Sequence, residues 1–165
     1  RRGRGSSMKI ISAASAALFC LAFGIVLLVS YPIANTHVMS EKHNCIIREA
    51  DFNLQWRHSV EKTIWRESYH REKNTFRLVY TDLISFGAGT PSDYPIISQK
   101  DGVIRMAVNQ KLKEINWTVS RNMQGQLSWN NTTWAIANEL PDYSLVQFKS
   151  TYTPLWKIWW LGECR

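Results

Sequence analysis

With 165 residues, 45% of them hydrophobic and 20% charged, the chain has room for one folded domain and a targeting segment, and its composition is not that of a disordered protein. The formal net charge of +7 is concentrated at the start. Arg1, Arg2, Arg4 and Lys9 precede the first apolar run, leaving 16 basic against 13 acidic residues elsewhere. No Lys/Arg cluster with interleaved aromatics follows, which argues against nucleic acid as a partner.

Residues 1–7 (RRGRGSS) precede Met8 and read as a remnant outside the fold. Residues 10–33 (IISAASAALFCLAFGIVLLVSYPI) carry no charge. About 20 apolar residues span a bilayer as helix, and positive charge on the N-terminal side places that end in the cytoplasm. A cleaved signal peptide is the rival reading. It wants a shorter apolar core and a small-x-small site, and Pro32 and Leu28 occupy the −3 positions of the nearest candidates. The expected order is a basic cytoplasmic end (1–9), an uncleaved transmembrane signal anchor (10–33), a polar tether (34–44) and an extracytoplasmic β domain (45–165). This makes a single-pass protein of the inner or cytoplasmic membrane with its C-terminal domain in the periplasm.

Residues 52–61 alternate without a break. Phe52, Leu54, Trp56, His58 and Val60 fall on one side, as in a half-buried strand. Polar residues 61–63 then separate this strand from residues 64–70, which suits a hairpin. Residues 76–86 (FRLVYTDLISF) are apolar on both faces in part, as in a central strand. Residues 87–95 form a turn-rich loop, and Asp101-Gly102 is a further turn signal. Residues 103–108, 115–120, 127–129, 134–137, 144–148 and 155–160 complete the strands, with breaks at Asn130-Asn131 and Pro141-Asp142. About 8–10 short strands and no helix after the anchor predict an all-β sandwich or partly closed barrel.

Eight Trp is many for this length. Three lie in residues 154–161 (PLWKIWWL), which read either as a last core strand or as an aromatic surface, Trp159 and Trp160 included, resting on a bilayer or membrane partner. Cys45 and Cys164 bracket the outer domain. They either pair, closing a loop of about 120 residues that contributes roughly 4–5 kcal/mol in the chain-entropy model, or remain separate thiols. No Cys/His spacing suits zinc, and no cofactor motif is present. Sequons at Asn116, Asn130 and Asn131 matter only in a glycosylating host.

His58 is the polar member of the apolar row, and three readings stay open: a hydrogen-bonded core histidine, a recognition or pH-responsive residue, or a catalytic one. On a continuous strand Ser59 and Glu61 point away from His58, which disfavours catalysis unless an early turn intervenes. Glu67 lies either across the hairpin near His58 or Trp56, or at the surface with Arg66 or Arg71. Gly87 and Gly89 permit a tight turn, or an N–H nest for an anion.

The pairing of HSVEKT (58–63) with FGAGTP (86–91) resembles a small bacterial family of unknown function whose genes are often found beside those of TAXI-type TRAP transporters, tripartite ATP-independent solute importers. The similarity covers residues 52–91 and extends more loosely through 101–141. It implies an extracytoplasmic β domain without established enzymatic activity, accessory to a membrane importer. It also implies roles for His58, Ser59, Glu61, Glu67, Gly87 and Gly89 at the matching motif positions. The resulting expectation is a non-enzymatic, membrane-anchored accessory protein, partnered by a TRAP-type permease and its solute-binding protein, that assists permease assembly or docking. The alternative is a β domain that itself binds a small anionic solute through the glycine loop and Arg57 or Arg66. A hydrolase using His58 and Ser59 is the third.

Overall fold

The computed structural model describes residues 13–87, 89–90 and 93–164. A helix, α1 (Ala13–Ser30), precedes strands β1 (Pro32–Met39), β2 (Asn44–Ile47), β3 (Asp51–Arg57), β4 (Ile64–Glu72), β5 (Thr75–Leu83), β6 (Ile96–Lys100), β7 (Val103–Leu112), β8 (Glu114–Val119), β9 (Gln126–Trp129), β10 (Thr132–Trp134) and β11 (Ser144–Pro154). A short helix, α2 (Leu155–Leu161), follows β11.

The strands form two antiparallel sheets, ordered β2-β1-β11-β8 and β10-β9-β3-β4-β5-β7-β6. They are packed as a sandwich, and neither sheet closes into a barrel. The inner row of β3 explains the packing. Phe52 and Leu54 are 1% exposed. The Phe52 ring stacks on Tyr69 of β4 at 5.4 Å and on Phe148 of the smaller sheet at 5.6 Å, and meets Phe76 of β5 edge-on at 5.7 Å. Along β8, Ile115, Trp117 and Val119 alternate inward against this row. Asp82 on β5 is 7% exposed and is held by both nitrogens of an Arg105 fork at 2.7 Å.

Several expectations are corrected. The anchor expected at 10–33 has its residues 10–12 outside the described residues, and α1 ends at Ser30 because Pro32 forces the chain into an extended path. Pro32 and Ile33 already pair with Pro154 and Thr153. Among the described residues no helix is long and apolar enough to cross a membrane. The expected tether is no tether: most of it is β1, an interior strand of the smaller sheet, so Tyr31 alone separates helix from sandwich. β1 reads as polar because Asn35 and Thr36, both fully buried, lie in it. Asn35 donates to the Ile33 carbonyl and accepts from the Thr151 hydroxyl of β11, a partner 116 residues away.

The last expected strand, 155–160, is helical. Pro154 stands at its N-cap, and Gly162, at φ 76°, closes it with an N–H donated to the Ile158 carbonyl. Only Ile158 is buried; Trp156, Trp159 and Trp160 are exposed. Cys45 and Cys164 form a disulfide that ties the end of α2 to β2.

Candidate functional site

The β3–β4 hairpin turns earlier than its alternation suggests. β3 ends at Arg57, and residues 59–61 form the turn. The His58 amide donates to the Thr63 carbonyl, the Lys62 amide donates to the His58 carbonyl, and Lys62 takes a left-handed φ of 59°. Two expectations fail here. Val60 is not in the inner row but 65% exposed. Glu61 does not point away from His58: the turn folds its carboxylate back onto Nδ1 of the ring. The pair is sheltered, at 17% and 16% exposed side chain, and the imidazole stacks on Trp65 at 4.4 Å.

The second motif completes this arrangement. A Cβ on Gly87 would overlap the carboxylate of Glu61 and press on its Cγ, so the Glu61 side chain lies where any other residue would place its own. Of the two readings left open for this loop, the tight turn holds for Gly87: its N–H is taken by the Thr90 hydroxyl at 2.8 Å, and its carbonyl accepts from the Thr90 amide. Gly89 has φ 79°, and a Cβ there would meet nothing within 4 Å, so it is the left-handed backbone of the turn that calls for glycine. Ala88, Pro91 and Ser92 lie outside the described residues. Gly87→Ala is expected to displace Glu61 from His58 and cost about 1–2 kcal/mol. The same change in a Glu61→Ala background should cost little. Denaturant midpoints of the four proteins check this, and additive effects would refute the coupling.

Glu67 sits elsewhere. It lies on the inner face, opposite Leu54 of β3 and Thr81 of β5, and accepts the Tyr69 hydroxyl at 2.5 Å. It pairs with neither candidate arginine: Arg66 bonds Gln55 on the outer face, and Arg71 bonds the Arg48 and Glu49 carbonyls. Burial lifts the Glu67 carboxyl above its ordinary range, with the Tyr69 hydrogen bond pulling partly back; burial and the neighbouring carboxylate push the Tyr69 phenol up. With the folded value above the unfolded one, the stabilising contribution is complete in acid and is lost as pH rises through the raised value. Glu67→Gln is therefore expected to be nearly neutral at about pH 4 and to stabilise by about 1 kcal/mol at about pH 8. Urea unfolding at both values tests it, and a variant less stable than wild type at the higher pH refutes it.

In front of the His58 turn is a cleft of about 490 Å³, lined by Arg57, His58, Ser59, Lys62, Ser120, Asn122, Met123 and Tyr143. A recess of about 400 Å³ shares most of this wall and adds Trp56, Thr118 and Val119. The Arg57 guanidinium donates to the Asn122 carbonyl at 3.1 Å, and the Lys62 ammonium to the Ser59 carbonyl at 2.5 Å. Beside it, Asp142 accepts from both the backbone and the side chain of Arg121, which holds its carboxyl below the ordinary range. Among the described residues no hydrogen bond joins Ser59 to His58, and no group of three or more His, Cys, Asp or Glu side chains is placed to hold a metal.

The residues singled out from sequence thus separate into three places. His58, Ser59, Glu61 and Gly87 gather at one end of the sandwich, Glu67 lies inside it, and Trp159 and Trp160 stand on α2 at the other end. Lys62, Ser120, Asn122, Met123 and Tyr143 were missed. Residues 120–143 reach the turn through the pairing of β9 with β3 and of β11 with β8, for which no local signal exists.

No curated protein and no solved structure matches this chain. The profile of a domain of unknown function, DUF1850, matches residues 52–136, which run from β3 through the turn site, the glycine loop and β10. That is just over half of the chain, and the protein belongs to the DUF1850 family.

Proposed function

We propose that this protein is a non-enzymatic, membrane-held accessory module of a TRAP-type (TAXI) solute importer, which turns its His58 end outward to meet the importer's solute-binding protein. The observation that carries the reading is the molecule's polarity. Every described side chain from Ser15 to Leu28 is exposed, and from Ala16 onward all of them are nonpolar. A helix apolar all round needs an apolar surrounding. In the sequence the uncharged run covers residues 10–33. Around the exit of α1 stand Tyr31, Tyr152, Trp156, Trp159 and Trp160, all at least half exposed, the residue types that favour a membrane–water interface. The disulfide fits an oxidising, extracytoplasmic compartment.

β11 begins beside the cleft at Ser144 and ends at Pro154 next to α2. Eleven residues of strand at about 3.3 Å each put the cleft roughly 30–35 Å from the helical pole. With a single residue joining α1 to β1, the domain stands at a set orientation. Its far pole then meets an extramembranous partner more readily than a permease, which favours docking over assembly. The importer class rests on the paired motifs at 58–63 and 86–91.

The test is a gentle-detergent pull-down of the full-length protein from its native membrane, with cross-linking and mass spectrometry. A multi-span permease and its solute-binding protein at comparable amounts are expected. A charge reversal at the far pole, Lys62→Glu, should lose the binding protein and keep the permease. Recovery of this chain alone would overturn the reading.

A further inference from the structure

We infer that the cleft beside the His58 turn is a binding site for a small organic carboxylate with an apolar body. Two of its cations, Arg57 and Lys62, are each steadied by a backbone carbonyl, and among the described residues no Asp or Glu lines the cleft or its adjoining recess. Their charges remain available to an anion, and the planar guanidinium suits the two oxygens of a carboxylate. The adjoining recess adds three apolar side chains, Trp56, Val119 and Met123, to a wall that also carries Ser59, Thr118 and Ser120. Those apolar side chains suit an alkyl or aryl group. The volume of about 490 Å³ is that of a small-molecule site.

Tyr143 supplies the third observation. Its φ of 69° is left-handed, a costly conformation for a bulky side chain. The strand pairing of β11 with β8 holds it there, with the Tyr143 amide donating to the Val119 carbonyl at 2.8 Å. The ring so placed is 82% exposed at the mouth of the cleft and packs no core. An aromatic ring at that position covers the apolar part of a ligand whose carboxylate lies between Arg57 and Lys62. The inference rests on the cleft alone and stands apart from how the chain is held or what it assembles with.

Isothermal calorimetry on the full chain in detergent micelles tests it, with acetate, butyrate and phenylacetate as probes and phenylacetamide as the uncharged match. Butyrate or phenylacetate is expected to bind at least tenfold tighter than acetate, and phenylacetamide at least tenfold weaker than phenylacetate. Arg57→Gln and Lys62→Gln should each weaken binding about tenfold, and Tyr143→Ala should weaken it with the melting temperature unchanged. Arg66→Gln, on the outer face, should bind as wild type does. No heat from any probe at millimolar concentration, equal binding of acid and amide, or full binding by the Arg57 and Lys62 variants would overturn the inference, whatever the pull-down returns.

Discussion

Replacing Cys45 and Cys164 together by serine is expected to lower stability by about 4–5 kcal/mol, the chain-entropy value for a closed loop of this size. The bridge joins residues 119 apart and so restrains nearly the whole sandwich in the unfolded state. Its local effect is as specific. Cys164 donates its amide to the Ile46 carbonyl, and Ile46 donates to the Gly162 carbonyl, so the bridge locks the end of α2 onto β2, an edge strand. Without it α2 keeps one buried side chain, Ile158, and too few residues to hold a helix alone. Denaturant midpoints with and without reductant check the global term, and tryptophan emission checks the release of α2. Equal midpoints in both conditions would show that the sandwich is stable by its core alone.

Phe52→Ala is expected to cost about 3–5 kcal/mol, the range for deleting a buried aromatic ring. The ring is 1% exposed and makes three aromatic contacts, one of them to Phe148 across the two sheets. Its loss opens a void at the junction between layers, where each sheet is held in place by the other. Phe52→Leu should recover more than half of the loss. Equilibrium urea unfolding measures both, and a loss below about 1 kcal/mol for the alanine variant would place the centre of the core elsewhere.

The site was legible in parts that sequence left unconnected. His58, Glu61 and Gly87 were each singled out, but unbroken alternation through 52–61 set Glu61 on the wrong side of the chain. The reversal depends on where the turn begins, which hydrophobic alternation does not record. That choice falls to the Thr63 and His58 backbone bonds and to the left-handed Lys62. Nor did the glycine motif announce its purpose. Gly87 reads as freedom for its own backbone, yet what it provides is room for a side chain 26 residues earlier.

What the sequence determined by itself is what local chemistry controls. The uncharged run sets a helix, though its end before Pro32, rather than at residue 33, came from the structure. Alternation and turn residues place seven of the strands from 52 onward, because inside–outside patterning acts over a few residues, while β6 goes unmarked and residues 136–138, partly expected as strand, form a 3-10 turn. What only the tertiary structure decided depends on partners far along the chain. β1 is a strand because β11 pairs along its whole length and Thr151 satisfies Asn35, and residues 155–161 are a helix because the sheet ends at Pro154 and the disulfide gives them a place to lie. The cleft exists because the β9–β3 and β11–β8 pairings carry residues 120–143 to the β3–β4 turn. The family match shows the same division. Residues 52–136 span β3 to β10, while β1, β2 and β11, which complete the covering sheet, lie outside it. A sheet's register and its cover are set by side chains that meet only after the chain has folded, and no local pattern encodes that meeting.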